Sequence, residues 1–402
     1  MGGIVIVGAG QAGASLAAKL RALGHAGPVT LIGEEPQPPY QRPPLSKAYL
    51  LGEMDLERLY LRAPAFWDEQ AVTLRLGTPV EAIDTRARTV RLAGGETLSY
   101  DELALTTGSR PRRLPAAIGG DLANVFTVRT LADVDDMAPG FRKGARALIV
   151  GGGYIGLEAA AVAAKLGLQV TLIEAAPRIL QRVASPETAD YFRRLHEAHG
   201  VRILEGTGLA QLTGEDAVTG AILVDGTEIP ADLVIVGIGI LPNAELAEAA
   251  GIALENGIRT DELGRTSAPH VWAAGDCASF PQGDARIRLE SVGNAIDMAD
   301  TVAANILGAA TPYQAKPWFW SDQYDVKLQI AGLNTGYDRI VTREGEGGAV
   351  SFWYYRGATL LALDAMNDAR AYMIGKRLIE AGRSPDPTLI ADPAADLKAL
   401  LR

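Results

Sequence analysis

Two glycine-rich turns carry the strongest chemical signal in this sequence. Gly8-Ala9-Gly10-Gln11-Ala12-Gly13 follows the apolar run Ile4-Val5-Ile6-Val7, and Gly151-Gly152-Gly153-Tyr154-Ile155-Gly156 follows Ala147-Leu148-Ile149-Val150. In such a GxGxxG turn the first glycine permits the tight bend and the second lets backbone approach a pyrophosphate. The third lets helix and strand pack closely. The helix opening there offers unpaired N–H groups and a partial positive charge to phosphates. Each turn has a carboxylate about 20 residues on, Glu34 and Glu174, placed to accept hydrogen bonds from ribose hydroxyls. At Glu174 a carboxylate also repels a 2′-phosphate, favouring NADH over NADPH, although Arg178 and Arg182 just beyond could receive one. Glu35 is an alternative to Glu34, which the spacing favours.

The elements that position these turns repeat. Val29-Thr30-Leu31-Ile32 follows the first predicted helix, and its near copy Val170-Thr171-Leu172-Ile173 follows the second, in a unit that begins 143 residues after the first. Such duplication predicts two dinucleotide-binding βαβ domains in one chain. Between them, Pro38, Pro39, Pro43 and Pro44 stiffen a loop that forbids a helix. Two later strand-to-glycine turns follow, Leu233-Val234-Ile235-Val236-Gly237-Ile238-Gly239 and Val271-Trp272-Ala273-Ala274-Gly275-Asp276. From Trp318 onward aromatic residues and short β-like runs concentrate, with three of the five tryptophans, which marks a third domain.

Composition narrows the classes. A chain of 402 residues has room for two or three cores. A net charge of −10 and a pI near 5.1 argue against general nucleic-acid binding. No apolar stretch reaches membrane-span length, and the N-terminus reads as a strand instead of a signal peptide, so a cytoplasmic location is expected. One cysteine, Cys277, excludes an intrachain disulfide or a CxxC pair; it reads as a small buried hydrophobe. The four histidines lack metal spacing, so no metal is expected, and His196 and His199 read as surface residues. No Ser/His/Asp or Cys/His arrangement stands out. Two dinucleotides in one chain imply that electrons pass between them, with the organic chemistry supplied by the cofactors.

Together these motifs resemble the FAD-dependent pyridine nucleotide-disulfide oxidoreductase superfamily, and within it the bacterial NADH-dependent ferredoxin reductases that serve cytochrome P450 monooxygenases and aromatic-ring dioxygenases. The resemblance runs in order through Gly8–Gly13, Arg42-Pro43-Pro44-Leu45-Ser46-Lys47, Thr107-Gly108-Ser109-Arg110-Pro111, Gly151–Glu158, Gly239-Ile240-Leu241-Pro242-Asn243, Ala274-Gly275-Asp276-Cys277 and Trp318-Phe319-Trp320-Ser321-Asp322-Gln323. It implies an α/β fold with two Rossmann-like, glutathione-reductase-like domains and a C-terminal α+β domain. The expected boundaries are 1–112 with 245–317 for FAD, 113–244 for NADH and 318–402 for the last domain. FAD is expected on Gly8, Gly10, Ala12, Gly13 and Glu34, with Arg42, Lys47, Val80, Arg129, Asp276, Val292 and Trp320 around it. NADH is expected on Gly151, Gly153, Ile155, Gly156, Glu174 and Gly239. Lys47, Glu158 and Trp320 are the expected catalytic residues, with Glu158 near the nicotinamide and paired with Lys47. The implied activity is hydride transfer from NADH to FAD and single-electron transfer to an acidic [2Fe-2S] ferredoxin. Relatives that reduce disulfides, peroxide or oxygen carry a cysteine where this chain has Pro44-Leu45-Ser46-Lys47-Ala48-Tyr49. That departure disfavours an NADH oxidase. A rubredoxin reductase-type enzyme and an apoptosis-inducing-factor-like flavoprotein stand as the rival classes.

Several of these residues also have plain readings. Lys47 could be a surface lysine and Glu158 a carboxylate favoured by its helix dipole. Trp318 and Trp320 alternate around Phe319, so they share a face, one in the core and one facing the flavin. Tyr154 could be core or a lid over the nicotinamide. From residue 310 onward Lys+Arg and Asp+Glu balance at 11 each, so residues 1–309 hold all of the −10. Ferredoxin docking is therefore expected near the C-terminal domain and the flavin edge, with Lys316, Lys327, Arg339, Arg370, Lys376 and Arg377 as candidates.

Overall fold

The computed structural model describes residues 2–402, arranged as two units. The first comprises Met1–Arg42, Asp55–Arg110 and Ile240–Pro317. Its five-stranded parallel sheet has the order Val271–Ala273, Glu102–Leu105, Ile4–Val7, Val29–Ile32, Val72–Arg75. Ile4–Val7 is buried along its whole length, as a central parallel strand covered on both faces must be. Val7 lies opposite Ile32, so the first glycine turn and the Gly33-Glu34-Glu35 turn leave the same edge of the sheet. The helix Gln11–Ala22 follows the turn and packs along the helix Val292–Ile306. Ala12, Ala14 and Ala17 are buried on the first helix, and Ala295, Ala299 and Ala303 on the second; small side chains let the two approach closely.

The second unit comprises Pro43–Met54, Pro111–Gly239 and Trp318–Arg402. Its parallel sheet repeats the plan: Arg202–Glu205, Gln169–Glu174, Arg146–Val150, Leu233–Val236, Val125–Phe126. Val150 lies opposite Ile173, the register of Val7 and Ile32 over again. The C-terminal residues form an antiparallel sheet in the order Trp318–Gln323, Val326–Gly332, Thr359–Met366, Val350–Arg356, Arg339–Glu344. The helix Ala369–Glu380 covers it with Ala371, Tyr372, Ile374 and Leu378. This is the fold class read from the sequence, two nucleotide-type parallel sheets and an α+β C-terminal part. No described helix is long and apolar enough to cross a membrane.

A buried polar knot ties the helix Pro186–Ala198 to the antiparallel sheet. Thr188 Oγ1 donates to Asp364 Oδ2 at 2.7 Å, the Tyr354 hydroxyl donates to the same oxygen, and Ser185 N–H donates to Tyr354. Burial raises the Asp364 carboxyl from 3.8 to about 6, against the pull of its two hydroxyl donors. An acid whose folded pKa is raised stabilises the fold below its unfolded pKa, and that contribution is lost as pH rises through about 6. Between pH 4 and pH 8 the stability of the parent should therefore fall relative to Asp364→Asn by on the order of 3 kcal/mol. Denaturant unfolding of both proteins across this range reads the difference. A difference that stays constant with pH would show that Asp364 does not titrate there.

Candidate functional site

The helices that follow the glycine turns begin differently from those with side-chain caps. Thr130, Ser185, Ser291 and Asp368 cap their helices with side-chain oxygens. Gly10 and Gly153 cap theirs with no side chain, and neither helix has an acidic residue in its first turn. Free N–H groups at a helix start whose first turn holds no carboxylate form an anion site suited to a diphosphate. The third glycine of each turn is dictated by packing. A Cβ on Gly13 would press into the Gly8 carbonyl oxygen, and one on Gly156 into that of Gly151. The residues present thus fit a dinucleotide at each turn.

In the first unit Gly8, Gly10, Ala12 and Gly13 lie on the same turn and helix start. Asp276 follows the strand Val271–Ala273, which is separated from Ile4–Val7 by one strand. Gly275 comes so close to Ala12 that a Cβ there would touch the alanine methyl, so Asp276 is brought to the turn. Asp276 Oδ2 accepts from Ser109 Oγ at 2.9 Å, fixing the carboxylate. Val292 opens the helix that packs along Gln11–Ala22, and Val80 opens the strand Val80–Asp84. Glu34 is exposed, while Glu35 accepts from Arg42 Nη2 at 2.5 Å and from the Tyr40 hydroxyl. The two carboxylates therefore divide: Glu35 holds Arg42, and Glu34 faces solvent. By register Gly33 stands level with Glu174, so Glu34 lies one residue further along than its counterpart.

In the second unit Glu174 is held at the turn itself. Its oxygens accept from Gly152 N–H and Ala176 N–H, each at 2.7 Å. Arg178, one of two possible phosphate receivers, spends its guanidinium on the carbonyls of Ile179, Ala184 and Ser185. Arg182 is exposed, and with Arg112 it flanks Gly239, whose φ is +99°. These two arginines do not stand out as a pair in the sequence, because 70 residues separate them. Gly151, Gly153 and Gly156 form the turn, and Ile155 is 44 % exposed at the helix start. The Tyr154 ring packs against Phe319 with centroids 5.0 Å apart, and its buried hydroxyl has no partner among the described residues.

One helical turn beyond, Glu158 is buried and pairs with the partly buried Lys47. Lys47 Nζ donates to Glu158 Oε1 at 2.9 Å and lies 3.8 Å from Asp322 Oδ2. The helical turn Leu45–Tyr49 is broken at Lys47 (φ −128°, ψ −108°), a sparsely populated conformation of the kind that collects at functional sites. Ser321 Oγ also donates to Glu158 Oε1, at 2.7 Å. Burial raises the Glu158 carboxyl above its ordinary range, against Lys47 and Ser321, which pull it down. Trp318 and Trp320 do share a face and stack, with centroids 5.5 Å apart, but both are half-buried and neither belongs to the core. Arg129 leads into a capping box, its N–H donating to Asp133.

The reading of His196 is overturned as well. His196 is fully buried, not on the surface: it lies on the apolar stripe with Ala189 and Phe192, and its ring bonds Gln323 and Tyr324. His199 is exposed and stacks on Tyr324. Cys277 is fully buried, as read. Among the basic residues considered for docking, Lys316, Lys327, Arg339 and Arg377 are exposed, Arg370 pairs with Asp396, and Lys376 pairs with Glu380 and sits over Trp318.

Comparison with known proteins decides the family. The pattern for pyridine nucleotide-disulphide oxidoreductases matches residues 2–299, and that for a reductase C-terminal domain matches 318–401. The chain belongs to the pyridine nucleotide-disulphide oxidoreductase family. A ferredoxin–NAD(P)(+) reductase of Sphingomonas sp is 46 % identical, over 98 % of this chain and 96 % of the relative. Putidaredoxin reductase of Pseudomonas putida is 42 % identical, over 99 % of this chain and 96 % of the relative. A crystal structure of the covalent putidaredoxin reductase–putidaredoxin complex superimposes with a TM-score of 0.96 at 41 % identity, covering 100 % of this chain and 98 % of that one. For a pyridine nucleotide-disulphide oxidoreductase, the absence of a second cysteine is notable: Cys277, next to Asp276, is fully buried, and burial raises its thiol above the usual range. Such a thiol is a poor nucleophile.

Proposed function

We propose that this chain is an FAD-dependent NADH:ferredoxin oxidoreductase that takes hydride from NADH and delivers single electrons to a [2Fe-2S] ferredoxin serving a cytochrome P450 or ring-hydroxylating oxygenase. The observation that carries the reading is the pair of uncapped, glycine-led helix starts on two like sheets in a chain with no reactive thiol. Relatives named for ferredoxin reduction share its full length. When bound, FAD supplies the hydride acceptor and the one-electron donor.

The protein's own residues bind, orient and set charge. Gly8, Gly10, Ala12 and Gly13 offer backbone N–H groups to the FAD diphosphate, and Glu34 takes the ribose. Arg42, Val80, Arg129, Asp276 and Val292 line the rest of that cofactor. Gly151, Gly153, Ile155, Gly156 and Gly239 do the same for NADH, with Glu174 at its ribose. Lys47 and Glu158 would supply one ion pair to the ring system, and Trp320 would supply an aromatic face. The domain limits that follow are 1–112 with 245–317 for FAD, 113–244 for NADH and 318–402 for the C-terminal part. The charge-balanced last quarter of the chain, around Lys327, Arg339 and Arg377, is where an acidic ferredoxin is steered.

Anaerobic stopped-flow mixing tests the whole reading. NADH should bleach the flavin rapidly, and a [2Fe-2S] ferredoxin should restore it faster than oxygen, rubredoxin or a disulfide does. Fast turnover with oxygen or a disulfide and none with any ferredoxin would overturn it. A second expectation concerns the nucleotide. Glu174→Ala removes the carboxylate that excludes a 2′-phosphate, so the preference for NADH over NADPH should fall about tenfold or more, the worth of one like-charge contact. The ratio of kcat/KM values for the two nucleotides reads this, and an unchanged ratio would remove Glu174 from the ribose site.

A further inference from the structure

The buried polar residues behind Glu158 form a single directed chain. The strand Trp318–Gln323 presents Phe319, Ser321 and Gln323 on one face, and Ser321 and Gln323 are both fully buried. Ser321 Oγ donates to Glu158 Oε1 at 2.7 Å. Gln323 Nε2 donates to Ser321 Oγ at 3.0 Å. With its amide nitrogen so used, Gln323 turns its oxygen to His196 Nε2 at 2.8 Å, and an oxygen there can only accept. His196 must therefore carry its proton on Nε2, which leaves Nδ1 as an acceptor for the Tyr324 hydroxyl at 3.2 Å. Each donor points the same way, from Tyr324 through His196, Gln323 and Ser321 to the carboxylate.

Two features show that the chain is held on purpose. Tyr324 has φ +57°, a backbone conformation that a glycine or asparagine would adopt with less strain, and it keeps its ring between His199 and His196. His196 is buried, and burial lowers its pKa from 6.5 to about 4, so it remains neutral and keeps its acceptor at Nδ1. A second proton on the ring would break the direction of the chain.

We infer that Tyr324, His196, Gln323 and Ser321 are positioning residues, a one-way relay of hydrogen-bond donors that holds the Glu158 carboxylate ionised and turned toward Lys47. Aligned donors polarise one another, so the effect on the last acceptor exceeds that of Ser321 alone. The charged groups facing Glu158 are Lys47, from the Leu45–Tyr49 turn, and Asp322, next to Ser321 in the strand; the titratable groups facing His196 are His199 and the neutral Tyr324. The inference rests on the proposed role of Glu158 only for its catalytic meaning; the relay acts on the carboxyl whatever that carboxyl does.

The test reads the carboxyl directly in the flavin-loaded protein. The Glu158 band is assigned in the infrared spectrum by its loss in Glu158→Gln, and its titration is followed in each variant. Ser321→Ala should raise the Glu158 pKa by about one unit and Ser321→Thr should restore it. Gln323→Leu should raise it by a smaller amount. Tyr324→Phe, which removes one atom near the surface, should leave the fold intact and let the ¹⁵N resonances of His196 move from a pure Nε2–H tautomer toward a mixture. The pH profile of flavin reduction by NADH should shift with the carboxyl. A Glu158 pKa that is the same in the parent, Ser321→Ala and Gln323→Leu, or a His196 ring indifferent to Tyr324→Phe, would overturn the relay. If Glu158→Gln reduces its flavin at the parental rate while Ser321→Ala still moves the carboxyl, the relay stands and the proposed role of Glu158 fails.

Discussion

Gly13→Ala should purify without flavin, whereas Gly156→Ala should purify yellow and resist bleaching by NADH. In each turn the added methyl meets the carbonyl oxygen of the first glycine of its own turn, Gly8 or Gly151. Those glycines cannot give way easily. Gly8 N–H donates to Ile32 O and Gly151 N–H to Ile173 O, both at 2.8 Å, so each peptide is pinned to the edge of its sheet. Each glycine also holds a positive φ, +115° and +106°, which its own turn requires. The strain is relieved only by moving the helix start away from the strand, and with it the N–H groups that would meet the diphosphate. Overpacking of this kind costs about 1–3 kcal/mol, or roughly 10- to 100-fold in affinity. Flavin absorbance per mole of protein and the amplitude of NADH bleaching read the two effects separately. Equal flavin loading in both variants would mean that the N-terminal turn does not carry FAD.

These turns are legible because their constraints are local. A glycine pressed against its own preceding strand, a β-branched run and a helix start all lie within about a dozen residues, so the pattern appears in the sequence. Lys47 is harder, since its chemistry depends on a carboxylate 111 residues away. Only the motifs at both ends, carried by resemblance, suggest the pair. His196 is misplaced by sequence reasoning for a physical reason. Its spacing to His199 bears on whether two ligands are present, whereas its spacing to Phe192 and Ala189, four and seven residues earlier, places it on the apolar stripe. The strand Trp318–Gln323 misleads in the opposite sense: its tryptophans attract notice, while the smaller polar residues Ser321 and Gln323 are the ones wholly inside. Spacing favours Glu34 over Glu35, but it does not reveal that Arg42 and Tyr40 of the proline-rich loop fold back onto Glu35.

Lys47→Ala should slow flavin reduction by NADH about 10- to 100-fold while leaving FAD content near that of the parent. Removing one partner of a buried ion pair strands the other, at a cost of about 3–5 kcal/mol. Glu158, whose carboxyl burial already raises, can escape that cost by taking up a proton. Without Lys47 the carboxyl loses the partner that pulls its pKa down, so the variant replaces an ion pair by a lone carboxyl, which changes the field at the proposed flavin site without touching either glycine turn. The cycle of Lys47→Ala, Glu158→Gln and the double variant separates charge from packing. Glu158→Gln leaves Lys47 with Asp322 at 3.8 Å, so its stability loss should be the smaller of the two single changes. The double variant should be more stable than Lys47→Ala alone, because no charge is left stranded. Stopped-flow rates of both half-reactions and thermal unfolding supply the measurements. If both half-reactions of Lys47→Ala run at the parental rate, the pair is a structural bridge between the Leu45–Tyr49 turn and the nucleotide helix, and the field that tunes the flavin must come from elsewhere.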